Sequence, residues 1–160
     1  DGYRDADPKK RVKWAGPEMS ARSKITARHM ETWAHGQEVF DVLGKDREEK
    51  DRIKNIVHMG VIAYGWTFVN RKLAIPEPTP YIILNSPFGE VWEWNDKESS
   101  SKIEGTAVEF AQVVTQVRNF ADTKLSITGE PAIEWMKYAQ CFAGPPEDPP
   151  AKGTRYKATN

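Results

Sequence analysis

The stretch from Ser20 to Gly44 constrains the fold more than any other, because it predicts one long helix. Ser20 is a suitable N-cap, since its hydroxyl can accept a hydrogen bond from a free N–H group of the first turn. Gly44 is a suitable residue to follow the helix after Leu43. Glu31 and His35 lie four residues apart, so the helix places both side chains on one face, one turn apart.

The pair of Glu31 and His35 has two chemical interpretations from the residues alone. One is a helix-surface ion pair, which stabilises a helix by only about 0.2–0.5 kcal/mol. The other is half of a metal site or an acid–base pair, because small and apolar residues surround the two side chains and predict burial against neighbours. A carboxylate buried there would need a partner or a metal, since burying it unpaired costs several kcal/mol.

A second helix is predicted from about Asp51 to Asn70, and it is apolar on two sides. The side opposite its main stripe carries Ile62, Trp66 and Val69. Two helices with this much apolar surface cannot satisfy each other alone, so we expect further helices, from a missing segment or another chain. His58 lies between these two apolar sides of the helix and is expected at the edge of the core.

A proline-rich connector, residues 71–80, is the expected domain boundary. Beyond it the pattern predicts a small α+β domain over 81–144. Its predicted elements are strands 81–84 and 91–94 in a hairpin, helix 106–119, strand 124–128 and helix 131–142. The other expected segments are a polar arm and turn (1–19), a helical region (20–70) and an extended polar tail (145–160).

Three side chains of the C-terminal half are candidate functional groups. Trp92 and Trp94 share one face of their strand, and we expect them to pack in a core or interface rather than to stack on a ligand. Cys141 is expected to be a small buried hydrophobe, because no sequence signature of a nucleophile surrounds it.

The charge balance and hydropathy exclude several classes of protein. Lys and Arg number 23, as do Asp and Glu, so the basic surplus of a nucleic-acid binder is missing. The longest apolar runs fall far short of a membrane span, and the first residues contain no signal-peptide core. The single cysteine excludes an internal disulfide and fits a reducing compartment. We therefore expect a cytoplasmic protein that binds neither nucleic acid nor membrane.

Five strings of the sequence share a family resemblance. They are WAGPEMSARSKITARHMETWAHGQEVFDVLG, RIKNIVHMGV, LNSPFGEVWEW, IEGTAVEFAQVVTQ and AQCFAGPP. Together they resemble the metal-binding, DinB-like relatives of mycothiol-dependent maleylpyruvate isomerase, over roughly residues 14 to 146. The resemblance implies an α+β protein: a partial DinB-like helical bundle with two long helices, followed by a small sterol-carrier-like α+β domain.

The resemblance also implies a metal site and a cofactor. In that family a divalent metal, usually zinc, is held by a His from an early helix and by a Glu and a His spaced E-x-x-x-H. Glu31 and His35 match the last two ligands, and carboxylate and imidazole are ordinary ligands of zinc. The implied activity uses a low-molecular-weight thiol, which the metal activates as thiolate.

The sequence departs from the family pattern at its start. Only thirteen residues, most of them polar, precede Trp14, where the early helices and their His ligand would come. His29 and His58 do not match this ligand, and His29 lies two residues before Glu31, on a different side of the helix. Two ligands are too few to hold zinc, so the site is either completed by another polypeptide or absent.

Two hypotheses about function follow. In the first, the chain is part of a metal-dependent thiol transferase or isomerase, with Glu31 and His35 as metal ligands. In the second, it is a non-catalytic structural subunit of a hetero-oligomeric enzyme that keeps the scaffold but has an incomplete metal site. Both predict a partner, either another chain that supplies the missing helices or a second copy in a homo-oligomer.

Overall fold

The computed structural model describes residues 4, 6–12 and 19–159, and these form an α+β fold as the sequence predicts. The elements are β1 (Arg11–Val12), β2 (Met19–Ser20), α1 (Ala21–Val42), α2 (Lys54–Ile62), α3 (Tyr64–Asn70), β3 (Tyr81–Asn85), β4 (Val91–Trp94), β5 (Lys102–Thr106), α4 (Ala107–Val114), β6 (Ser126–Thr128) and α5 (Glu130–Tyr138). The turn predicted between the polar arm and α1 lies mostly outside the described residues.

The first helix begins and ends where the sequence predicts. The Ser20 hydroxyl accepts a hydrogen bond from the Ser23 N–H at 3.1 Å. Gly44 follows the C-cap residue Leu43 with a φ of 63°, a left-handed conformation that glycine adopts without steric cost. Only one side of α1 is buried in this chain, however, because Ile25 and Val39 are exposed. The expectation of burial all round the helix is therefore not met within these residues.

The second predicted helix is divided into three pieces. A short 3₁₀ turn covers Asp51–Ile53, α2 ends at Ile62, and α3 begins at Tyr64 after a break at Ala63. The face expected to be buried on the far side is open, with Ile62, Trp66 and Val69 exposed by 67%, 44% and 57%. The prediction of one continuous helix is wrong, and within the described residues its second apolar face is not buried.

Four strands form a mixed sheet in the order β4-β3-β5-β6. The β3–β4 hairpin is confirmed, with Leu84 opposite Trp92. Strand β5 pairs in parallel with β3 and antiparallel with β6, so it occupies the middle of the sheet. The sequence interpretation missed this strand, because it predicted no element between the strand at 91–94 and the helix at 106–119. Both α4 and α5 end several residues earlier than predicted.

One hydrophobic cluster joins the helical region to the sheet. It contains side chains from both sides of the 71–80 connector, among them Trp33, Ile56, Ile82, Phe110 and Trp135. At the contact of α2 with α4, a Cβ on Gly60 would lie 2.7 Å from Val114 Cγ2, so glycine permits this close approach. The described core is continuous across residues 71–80. The domain boundary expected there stays a prediction.

No helix among the described residues is long and apolar enough to span a membrane.

Candidate functional groove

Helix α1 carries three polar side chains that line one groove: Glu31, His35 and Glu38. The helix is held in place by its other side, where Trp33 Nε1 donates to Glu49 Oε2 at 2.9 Å and Arg47 donates to the Trp33 carbonyl at 2.7 Å. These contacts fix the Trp33 side of α1 against the core, and the three polar side chains therefore all face the groove.

The groove has a volume of about 440 Å³ and lies between α1, the segment after α4 and the C-terminal residues. Buried apolar side chains contribute to its lining, and these include Met30, Ala34 and Val117. Its polar lining is rich in carboxylates, with Glu147 and Asp148 added to the two on α1. The groove therefore combines an apolar portion with groups that attract a cation.

Three side chains form a hydrogen-bonded chain in the groove. His35 Nδ1 lies 3.3 Å from Glu38 Oε2, and Arg155 donates from NH1 to the other carboxylate oxygen of Glu38. Burial by itself would raise the pKa of Glu38, but the hydrogen bonds from Arg155 and His35 outweigh it and hold this pKa below its ordinary value. Glu38 is therefore ionised at neutral pH.

Glu31 is held less firmly than Glu38. Its Oε2 accepts a hydrogen bond from Arg28 NH1 at 3.0 Å, and its side chain is 41% exposed. An exposed pair one turn apart on a helix is weak and exchanges readily with water. Glu31 and His35 thus lie on one face of α1, as the spacing predicts, but both side chains are accessible rather than buried and they are not bonded to each other.

The C-terminal residues form one wall of the groove. Gln116 Nε2 donates to the Glu147 carbonyl at 2.8 Å, and Asn119 Nδ2 donates to the Pro150 carbonyl at 2.8 Å. Further along, the Ala158 N–H donates to the Asp41 carbonyl at 2.8 Å. The tail contains a turn in which the Thr154 N–H donates to the Ala151 carbonyl, and it lies against the chain's own α1 and the segment after α4.

Beside the groove, a buried ion pair ties α1 to the segment after α4. Arg118 NH2 donates to both carboxylate oxygens of Asp41, at 3.0 and 2.9 Å. Gln37 Nε2 also donates to Asp41 Oδ1 at 3.0 Å. This arrangement satisfies a carboxylate that would otherwise be costly to bury.

The remaining histidines lie outside the groove. Burial, followed by the charges of Arg52 and Arg47, lowers the pKa of His29, which favours its neutral form. His58 is exposed rather than at the core edge, and its Nδ1 accepts a hydrogen bond from Trp94 Nε1 at 3.3 Å. Neither histidine lines the groove with Glu31.

The tryptophans and the cysteine behave largely as predicted. Trp92 is buried and Trp94 is partly buried. Their rings pack edge to face, with the ring centroids 6.4 Å apart. Cys141 is buried, and burial raises the pKa of its thiol to about 12. The chain's own thiol therefore stays protonated at neutral pH and is unsuited to act as a nucleophile.

The ligand types in the groove suit a divalent metal, but there are too few ligands. Across the described ranges 4, 6–12 and 19–159, no three His, Cys, Asp or Glu side chains come together as a metal site. Glu31 and His35 supply one oxygen and one nitrogen ligand, and a structural or catalytic zinc site takes at least three protein ligands. The assignment of these two residues as metal ligands stays a prediction.

Sequence reasoning missed two groups of this groove. Glu38 is not among the predicted site residues, although its place one turn after His35 on the same face is visible in the sequence. The role of Arg155 left no local signal, because it reaches Glu38 across 117 residues. The sequence indicates only that the tail contains basic residues and that α1 contains carboxylates with which they could pair.

No protein-family model and no solved structure matches this chain. Two curated relatives do, both from Mycobacterium tuberculosis: the uncharacterized protein MT0041 of strain CDC 1551 / Oshkosh and the uncharacterized protein Rv0036c of strain ATCC 25618 / H37Rv. Each is 39% identical over 137 residues, which cover 86% of this chain and 53% of the relative. The chain thus spans about half the length of the curated relatives it matches.

Proposed function

We propose that this chain is part of a metal-dependent enzyme that uses a small thiol, similar to isomerases and transferases of the maleylpyruvate isomerase type. The supporting observation is that Glu31 and His35, singled out by their E-x-x-x-H spacing, line the same open groove. In this proposal α1 belongs to a partial DinB-like bundle, and residues 81–144 correspond to the sterol-carrier-like part.

Within the proposal, the residues of α1 have separate roles. Glu31 offers a carboxylate oxygen and His35 an imidazole nitrogen, and both side chains are accessible from the groove. Zinc or another divalent metal held there would lower the pKa of a coordinated thiol, so that thiolate is available at neutral pH. The apolar lining from Met30, Ala34 and Val117 offers a surface for the carbon skeleton of a substrate.

The missing ligand is assigned to a polypeptide outside these 160 residues. Support comes from the two Mycobacterium tuberculosis relatives, of which this chain covers only about half, and from the open apolar face at Ile62, Trp66 and Val69. Further helices, from a longer chain or from a partner, would bury this apolar face. They would also bring a third ligand to the groove.

A second candidate function rests on the same apolar face. Three large hydrophobic side chains exposed along α2 and α3 are typical of a surface that is covered in an assembly. In this alternative the chain is a non-catalytic structural subunit of a hetero-oligomer that keeps the scaffold without a working metal site.

Native mass spectrometry combined with metal analysis of the purified assembly separates the two functions. The proposed enzyme predicts one equivalent of metal per chain, lost in Glu31→Ala and in His35→Ala. The matched control is His58→Ala, which removes an exposed histidine outside the groove and leaves the metal in place. An assembly that is active without metal at this chain, or variants that keep the full metal content, would contradict the proposal and favour the structural subunit.

A further inference from the structure

The hydrogen bond between His35 and Glu38 defines which ring nitrogen of His35 carries a proton. A carboxylate has only acceptor atoms, so at the 3.3 Å contact with Glu38 Oε2 the donor is His35 Nδ1. In the neutral imidazole the lone pair is then on Nε2. Within the part of the chain that the structure describes, Nε2 has no hydrogen-bond partner, and it is the nitrogen free to bind.

Arg155 holds the same carboxylate from its other side. Its guanidinium donates to Oε1 of Glu38, while His35 contacts Oε2. Glu38 is thereby held between two donors, one from its own helix and one from the C-terminal tail. The hydrogen bond from the charged guanidinium and the hydrogen bond from the imidazole together orient the carboxylate better than either bond alone.

We propose that Glu38 and Arg155 are positioning residues for His35. They keep His35 in the Nδ1–H tautomer and present Nε2 as the nitrogen that meets a metal or substrate in the groove. Histidines that bind metals generally donate their other ring N–H to a carboxylate or carbonyl, which fixes the tautomer and the ring orientation. This inference rests on the proposed function only in taking His35 as a residue of the site.

The second exposed histidine serves as an internal reference. His58 Nδ1 accepts a hydrogen bond from the indole N–H of Trp94, so its neutral form must carry the proton on Nε2. The structure therefore places His35 and His58 in opposite tautomers. Because the chain contains three histidines, their imidazole signals can be assigned one by one with single substitutions.

The test is nitrogen NMR of the imidazole rings in the whole protein after treatment with a chelator. Spectra are recorded about two pH units above the ordinary histidine pKa of about 6.5, where an ordinary imidazole is neutral. We expect His35 as the Nδ1–H tautomer and His58 as the Nε2–H tautomer. In Glu38→Ala, His35 should change to the Nε2–H form that free imidazole side chains favour, and Arg155→Gln should change it in part.

The matched control is Glu31→Ala, which removes a carboxylate from the same groove and the same helix without a bond to His35. This variant should leave the tautomer of His35 unchanged. The inference is overturned if His35 is already the Nε2–H tautomer in the unmodified protein, or if Glu38→Ala leaves it as Nδ1–H. Far-ultraviolet circular dichroism of each variant verifies that α1 remains folded.

Zinc titration distinguishes failure of this inference from failure of the proposed function. If zinc binds, Glu38→Ala should weaken its affinity about tenfold, the lower end of the range for groups that orient metal-bound histidines. The titration uses the purified assembly, in which the proposed third ligand is present, and there an Nδ1–H tautomer without any zinc binding keeps the positioning role and refutes the metal function. Zinc binding with His35 in the Nε2–H tautomer refutes the positioning role and keeps the metal function.

Discussion

Two carboxylates on α1, Glu38 and Asp41, each meet an arginine from the C-terminal half of the chain, but in different surroundings. The Asp41 and Arg118 side chains are 11% and 10% exposed, and Arg118 NH2 contacts both carboxylate oxygens. The Glu38 and Arg155 side chains are 37% and 48% exposed, and Glu38 also contacts His35. The first pair is enclosed by protein, and the second faces the groove.

This difference in burial separates a pair that stabilises the fold from a pair that serves the groove. A buried pair that loses one partner leaves an uncompensated charge inside the protein, which is strongly destabilising. An exposed pair competes with water and salt and contributes little to stability, so its main effect is on the side chains it contacts in the groove. One helix thus carries a rigid anchor and, less than one turn away, a group suited to a functional site.

The largest expected effect is that of Arg118→Ala on stability. Removing the guanidinium leaves the Asp41 carboxylate buried with Gln37 as its remaining side-chain partner, and we expect a loss of about 3 kcal/mol of unfolding free energy. Urea denaturation at neutral pH measures it. The double variant Asp41→Leu with Arg118→Met should lose less, because no charge remains buried. A loss below about 0.5 kcal/mol in Arg118→Ala, the range of ordinary surface changes, would remove the distinction between the two pairs.

A smaller effect is expected for Arg155→Ala. The exposed pair with Glu38 contributes at most about 1 kcal/mol, so global stability should change little. The backbone amide of Ala158 should nevertheless exchange its hydrogen faster, because its bond to the Asp41 carbonyl lies three residues beyond the lost contact. Hydrogen exchange measures this, with Arg155→Lys as the control that keeps the charge. A stability loss equal to that of Arg118→Ala would show that the tail is part of the rigid anchor.

The smallest effect is the pH dependence contributed by Glu38. Its pKa is lower in the folded protein than its ordinary value of 4.5, so its ionised form stabilises the fold above that pH. This contribution is lost as the pH falls through the folded-state pKa. The stability difference between the unmodified protein and Glu38→Gln should therefore be present at neutral pH, at most about 1 kcal/mol, and should vanish in acid. Glu98→Gln, on an exposed loop, is the control. A stability difference between the unmodified protein and Glu38→Gln that grows as the pH falls would contradict the prediction.

Local signals in the sequence account for what was predicted well. The cap at Ser20, the glycine after Leu43 and the helical spacing between them define α1, because each acts over a few residues. The hairpin of β3 and β4 follows from two short apolar strands around a turn. Placing Glu31 and His35 on one face needs only the helical period.

Other features have no local signal. The break at Ala63 interrupts a continuous apolar pattern, and β5 lies between β3 and β6 only because of pairings with distant residues. The far face of α2 and α3 carries apolar residues that the described chain leaves exposed. Sequence periodicity shows that such a face exists, but what covers it depends on the neighbouring polypeptide.

The sequence by itself determined the helix of Glu31 and His35, the class of the fold and the charge balance, because these depend on residue type and short-range spacing. The tertiary structure decided which carboxylate stabilises the fold and which faces the groove. Asp41 and Glu38 are three residues apart on one helix, and their partners lie 77 and 117 residues away. Burial set by those distant contacts, and not the residue type, gives the two carboxylates their different roles.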